Sequence, residues 1–367
     1  MQRYKKQLSK QGVTMNELKS KVSIPRMKKE LQSILDGEKI RGEVVGCANG
    51  PRVTLFRISL EPGVNVKKVE RCAKEIAATF NVPSVRVLAP IPGTKFVGVE
   101  IPNGREEMVD LRRLLEDGDR AKQMTIPLVL GKGFSGKNVV IDLALAPHIL
   151  LAGVDPSEVS MGLHAMVTSL LYRFSPESMQ LVLFHPQENV FDRYQGTPHL
   201  SMPVIHDVSQ MIETLHKTVI EMEDRYKILQ SVKAKSLREY NERNNIPNTP
   251  QSTTLPWKIL FIGELASLQK EKSWNDAEID ICRIAQKGRA AGIHLVVATQ
   301  YPTSKNIITG LIKANLPMRI AFRVNNVNES QLILDRSGAE KLLGGGDMLV
   351  MPYYTPIVRA QCASCKE

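Results

Sequence analysis

Six strand-length apolar runs, separated by stretches of helical spacing, constrain this chain more than any other feature. They are HILLAG (148–153), MQLVLF (179–184), KILFIG (258–263), HLVVAT (294–299), MRIAFRV (318–324) and DMLVM (347–351). Between them lie EVSMGLHAMVTSLLYRF, the run from Val208 to Leu229, the run from Ala277 to Ala290, and ESQLILD. A strand apolar along its whole length is buried on both faces. Strands alternating with helices build a mostly parallel sheet covered on both sides. The expected fold class is therefore α/β, with ligands at the carboxyl ends of the strands.

The first third of the chain reads differently. Residues 1–24 are a polar, basic lead-in. Residues 25–118 form a small mixed α/β domain. It holds a helix over KKELQSILDGEKI, a strand pair turning at Asn49-Gly50, a helix over VKKVERCAKEIAATF, and strands at VRVLAPI and KFVGVEIP. Residues 119–367 make the second domain, and NNIPNTPQSTTLP (244–256) is its clearest exposed loop.

The stretch GKGFSGKN (131–138) looks like a phosphate-binding loop, with Gly131, Gly136 and Lys137 correctly spaced and Asn138 in place of Ser or Thr. Such a loop needs a strand before it and a helix after it, because the helix N-terminus supplies the anion-binding N–H groups. Here NVVIDL follows, which is strand-like. The segment is expected to turn a β-hairpin. The required context occurs at HILLAGVDPSEVSMGLHAMV, where G-x-x-x-x-G-K-[ST] falls on Gly153 to Ser160. Glu158 stands where the second Gly belongs, and Val159 where Lys belongs.

The 367 residues carry 49 Lys plus Arg against 38 Asp plus Glu, a formal charge of +11. That excess favours polyanionic partners. No apolar run reaches membrane-spanning length, and MQRYKKQLSKQG has no apolar signal core. The five cysteines fit a reducing compartment. The expected location is the cytoplasm. Cys362 and Cys365 form a lone CxxC, with no second ligand pair for zinc.

The chain resembles the FtsK/SpoIIIE family of DNA translocases. The resemblance runs from about residue 25 onward, through SVRVLAPIPG, VGVEIPN, PHILLAG, EMEDRYKIL, RIAQKGRAAGIHLVVATQYP, ITGLIKANLPMRIAF and GAEKLLGGGDML. It implies a small α domain followed by a RecA-like P-loop NTPase domain, assembled as a hexameric ring around double-stranded DNA and driven by ATP and Mg²⁺. It also implies that these residues correspond to the motor core, without the family's membrane-spanning region or its C-terminal winged-helix module.

Carried over residue by residue, the resemblance puts the nucleotide loop on Gly153, Val154, Asp155, Pro156, Ser157, Glu158, Val159 and Ser160, with Ser160 also the Mg²⁺ ligand. Pro156 has no N–H to offer, and Asp155 and Glu158 bring charge that repels a triphosphate. The strand KILFIGELASL ends in Gly263 where the family has the Mg²⁺-holding Asp, while Glu264 remains at the general-base position. Gln300 retains the γ-phosphate-sensing position, and Arg289 resembles the arginine finger. At the DNA-facing loops Lys313 survives, Tyr301, Val327 and Gln331 replace basic residues, and Lys305, Arg319 and Arg323 are possible substitutes. The expected protein is a hydrolysis-deficient motor homologue, a pseudo-ATPase acting in DNA translocation, chromosome segregation or cell division, as a homo-oligomer or beside an active paralogue. Two other readings stand beside it. One is a divergent working motor, with Lys132 or Lys137 replacing the missing lysine. The other is a non-enzymatic DNA-binding or division scaffold.

Overall fold

The computed structural model describes residues 24–91, 93–104, 107–117, 121–244, 254–303, 306–352 and 356–365. The basic lead-in, most of the loop at 244–256, and Lys305 lie outside the described residues. The chain divides into two compact units. One runs to Met108 and takes in Gly133–Lys137; the other comprises Val109–Lys132 and the residues from Asn138 onward.

In the first unit α1 (Ile24–Gly37) is followed by strands β1 (Gly42–Asn49) and β2 (Val53–Leu60). Then come helices α2 (Lys67–Arg71) and α3 (Ala73–Thr79), and strands β3 (Arg86–Leu88) and β4 (Val97–Pro102). The strands form one antiparallel sheet, in the order β1-β2-β4-β3. Leu31 and Leu35 of α1 and Val69 and Ile76 of the shorter helices pack against Phe56, Ile58, Val97 and Val99. The turn at Asn49-Gly50 closes with the Gly50 amide donating to the Val53 carbonyl at 2.9 Å.

The second unit opens with α4 (Leu111–Glu116) and the antiparallel hairpin β5 (Pro127–Gly133) and β6 (Asn138–Asp142). GKGFSGKN is the turn of that hairpin: the Gly133 amide donates to the Lys137 carbonyl at 2.9 Å, and Gly136 takes φ +74°. After it come β7 (His148–Ala152), α5 (Pro156–Arg173), β8 (Met179–Phe184), α6 (Val208–Ser231) and α7 (Leu237–Asn244). These are followed by β9 (Trp257–Ile262), α8 (Leu265–Leu268), α9 (Trp274–Ala291), β10 (Ile293–Thr299), α10 (Gly310–Asn315) and β11 (Met318–Ala321). The chain then runs through α11 (Val327–Leu334), β12 (Asp347–Met351) and β13 (Val358–Cys362).

The nine-stranded sheet has the order β6-β5-β13-β12-β11-β7-β10-β9-β8. Strands β11, β7, β10, β9 and β8 are mutually parallel. Strand β12 adds to this parallel core antiparallel to β11, and β13 adds antiparallel to β12, so the sheet as a whole is mixed around a parallel core. For β13 the reason is local: residues 352–357 are too few for a crossover, so the strand returns antiparallel to β12. The parallel strands are buried on both faces. Ile149 and Leu151 of β7 enter one core with Leu163, Met166 and Leu170 of α5. Leu150 and Ala152 enter the other, with Leu215 of α6 and Ile281 of α9.

Phe322, at the end of β11, is fully buried and fixes how β7 passes into α5. A Cβ on Gly153 would stand 2.7 Å from the Phe322 Cβ, and one on Gly162 would stand 3.0 Å from its ring. Phe322→Ala should therefore cost about 3–5 kcal/mol of stability, the range for emptying a packed aromatic site. Urea unfolding of the purified chain checks this, and a loss under about 1 kcal/mol would show that the ring is not the packing centre described.

Candidate nucleotide site

Strand β7 ends in Gly153, whose amide donates to the Thr299 carbonyl at 3.3 Å. The Val154 amide donates to the Arg323 carbonyl at 3.2 Å. The loop is thus laced to β10 on one side and to the segment after β11 on the other. Asp155 adopts an extended conformation (φ −96°, ψ 115°) and caps α5. Its Oδ1 accepts from the Ser157 amide at 2.9 Å and from the Ser157 hydroxyl at 2.7 Å. The hydroxyl bond is the main cause that holds the Asp155 carboxyl below its usual range, and the Glu158 amide and Arg323 add to it. Pro156 fits the first helical position because its missing N–H would be unpaired there anyway. The first-turn donors that would receive an anion are therefore turned toward Asp155. The helix begins two residues earlier than the apolar spacing suggests.

Glu158 is in that first turn and points inward. It is 1% exposed, and its Oε1 accepts from the Gly346 amide at 3.2 Å. Burial raises its pKa, and the nearby Asp155 adds to the rise, while Gly346 and Arg323 oppose it. Gly344, Gly345 and Gly346 all have left-handed φ (80°, 60° and 89°), a run that only glycine follows easily. A Cβ on Gly344 would come within 3.3 Å of the Glu158 carboxylate. The sequence places Glu158 as a charge facing the loop; in the structure it is the plug between α5 and the triple-glycine turn. Val159 is fully buried in the core with Leu163 and Met166. A lysine on this backbone would direct its ammonium into apolar surroundings, which is strongly unfavourable. Ser160 follows, half-buried.

At the end of β9, a Cβ on Gly263 would stand 2.5 Å from His185 Cδ2, 2.9 Å from the Phe184 carbonyl oxygen and 3.2 Å from the Phe191 ring. Position 263 has no room for a larger side chain without a shift of its neighbours. The His185 Nδ1 accepts from the Gln187 amide at 3.1 Å, and burial lowers its pKa. Glu264 caps α8 through the Ala266 amide at 2.9 Å. It also accepts from the Thr299 hydroxyl at 2.7 Å and the Gln300 amide at 2.9 Å. Both carboxylate oxygens are engaged, tying the end of β9 to the end of β10. Burial raises the Glu264 pKa against the pull of these three donors.

The cations separate into three places. Arg323 is exposed beside Asp155 and Glu158. Lys313 and Arg319 are instead gathered by Asp335, at the left-handed end of α11. Lys313 Nζ also donates to the Gln331 carbonyl at 3.0 Å. Arg319, 9% exposed, also donates to the Lys313 carbonyl at 3.2 Å. Arg289 is exposed on the last turn of α9, at the amino-terminal edge of the parallel strands, and its Nε donates to the Ala144 carbonyl at 3.0 Å. Lys132 is on β5, with β13, β12 and β11 between it and β7. Lys137 groups with the first unit. Sequence reasoning missed the approach of Arg323 to Asp155, the filling of the Gly263 position by His185, and the role of the triple glycine. Only the last left a local signal, the run GGG.

Removing the cap by Asp155→Ala should destabilise the chain by about 0.5–2 kcal/mol, as read by thermal or urea unfolding. Glu158 gives a pH test. A carboxyl whose folded pKa is raised binds its proton more tightly in the native state. Its contribution therefore favours folding at low pH and is lost as pH rises from the ordinary carboxylate range through the raised folded value. Glu158→Gln should flatten this fall and leave the chain at least as stable as the parent at pH 7.5. A variant markedly less stable there would mean that the ionised carboxylate is the favoured form.

Residues 110–304 match the family model described as FtsK/SpoIIIE family, and residues 6–103 match that of the FtsK alpha domain. A DNA translocase FtsK of Oceanobacillus iheyensis is 38% identical over 340 residues, which is 92% of this chain and 43% of the relative. One of Helicobacter pylori (strain J99) is 39% identical over 346 residues, 94% of this chain and 40% of that protein. The chain thus spans less than half the length of these curated relatives. Among solved structures, the pCW3 conjugation coupling protein TcpA, in its monomer form with ATPγS, superposes with a TM-score of 0.61 at 20% identity, over 93% of this chain and 96% of that one. The cytoplasmic domain of the type VII secretion ATPase EccC from Thermomonospora curvata gives 0.55 at 23% identity, over 65% of this chain and 28% of that one. The structural likenesses show a shared P-loop ATPase motor fold, and the sequence matches show that the chain belongs to the FtsK/SpoIIIE family.

Proposed function

We propose that this chain is a hydrolysis-deficient homologue of the DNA-translocase motor, a ring subunit in DNA translocation or chromosome segregation whose nucleotide site is closed by its own side chains. The observation that carries the reading is the Asp155 carboxylate on the first-turn donors of α5. The residues present do not fit a magnesium triphosphate. The helix N-terminus already holds an anion, Val159 faces the core, and the Gly263 position has no room for a carboxylate. Glu264 is an internal cap rather than a base open to water. The subunit would serve double-stranded DNA in the cytoplasm, beside copies of itself or an active paralogue. Among the described residues no helix is long and apolar enough to cross a membrane. The exposed Arg289, outside the closed site, is the residue to complete a neighbour's site. Asp335 holds Lys313 and Arg319, so Arg323 is the freer of the three cations for phosphate.

Phosphate release with Mg-ATP and linear duplex DNA tests this reading. We expect no DNA-stimulated turnover above background. A rate near about 10 s⁻¹, ordinary for an enzyme, would overturn the reading. Restoring the motif is expected to fail for a structural reason. The combined Pro156→Gly, Glu158→Gly, Val159→Lys and Gly263→Asp variant overpacks His185 and buries an ammonium. It should lose several kcal/mol of stability, roughly 3 or more, and gain no activity. A folded, active variant would show that the four positions alone set the defect.

A further inference from the structure

At the amino-terminal edge of the parallel strands lies a cleft of about 440 Å³, away from the closed loop. Three cations line it, Arg238, Lys287 and Arg289, and among the described residues no acidic one does. Two aromatic side chains line it as well, Trp257 and Tyr226. Each is held in place. The Trp257 ring packs against the buried His294 ring with centroids 5.7 Å apart. The Tyr226 hydroxyl donates to the Lys287 carbonyl at 2.7 Å, and the Lys287 ammonium sits 5.1 Å from the Tyr226 ring centre.

The cations differ in how far they are already neutralised. Arg238 pairs with Glu242 and reaches Thr125 at 3.3 Å. Lys287 pairs with Glu223 at 2.6 Å. Arg289, which lines the cleft, is anchored through its Nε on the Ala144 carbonyl, and among the described residues no carboxylate pairs with its Nη atoms. A guanidinium fixed in this way is preorganised for a bidentate oxyanion. Aromatic walls beside such a fork suit a planar ring carried on the same ligand.

We propose that this cleft binds a small phosphorylated ligand with a planar aromatic ring, of nucleoside-monophosphate size. The phosphate sits on Arg289 with Lys287 and Arg238 around it, and the ring lies against Trp257. The proposal goes beyond the closed loop and does not need it: the two sites occupy opposite edges of the sheet.

Equilibrium dialysis or calorimetry of the whole chain with AMP tests it, with inorganic phosphate and adenosine as partial probes. Saturable AMP binding is expected, with both partial probes weaker. Arg289→Gln should weaken AMP about tenfold to a hundredfold, the loss of one charge-assisted contact. Trp257→Leu should weaken AMP but leave inorganic phosphate unchanged. Asp155→Ala should leave AMP binding as it is. Absence of AMP binding tighter than about 1 mM overturns the proposal and leaves the closed-loop reading standing. Binding that ignores Arg289→Gln, or inorganic phosphate binding as tightly as AMP, also overturns it. Binding that follows Asp155→Ala instead would place the ligand at α5 and overturn both readings.

Discussion

The junction between β7 and α5 depends on Phe322, whose Cβ leaves no room for a side chain at Gly153 and whose ring leaves little at Gly162. Gly153 lets the chain leaving β7 pass close to Phe322, and α5 then begins at Pro156. That start places the first turn of α5. It brings Asp155 to the cap position, turns Glu158 inward onto the triple-glycine turn, and sends Val159 into the core. A loop that must wrap an anion needs free N–H groups. Here the helix takes up those groups with its own carboxylate.

The end of β9 is packed by an independent contact. His185 and Phe191 fill the space where a side chain at position 263 would stand. Glu264 beside it serves as a hydrogen-bond node between β9, α8 and β10. On the proposed reading the two losses have separate structural causes, and restoring either leaves the other in place. The outer scaffold is unaffected. The parallel strands remain buried on both faces, and α9 still presents Arg289 at the far edge of the sheet.

Much of this was legible from the sequence, and for physical reasons. MQLVLF and DMLVM match β8 and β12 residue for residue, because an apolar run bounded by turn residues has few alternatives. GKGFSGKN was readable as a hairpin because a strand-like segment follows it. Strand β13 was missed because Val-Arg-Ala-Gln-Cys mixes polar with apolar residues. Arg359 is buried there and paired with Asp347 at 3.0 Å, a pairing between segments that sequence cannot show. The same limit applies at the site. Substitution at Glu158, Val159 and Gly263 was visible. That Glu158 plugs a glycine turn, that Arg319 is held by Asp335, and that Arg323 stands beside Asp155 all depend on tertiary approach.

The central claim is that the N-terminal amides of α5 are already occupied by Asp155. The most direct measurement is the amide ¹H–¹⁵N spectrum of the chain with and without Mg-ATP, read at Ser157, Glu158 and Val159. The account predicts that these three amides do not move, whatever happens at the Trp257 indole. Saturable shifts at all three, with loss of the Asp155 cap, would contradict it.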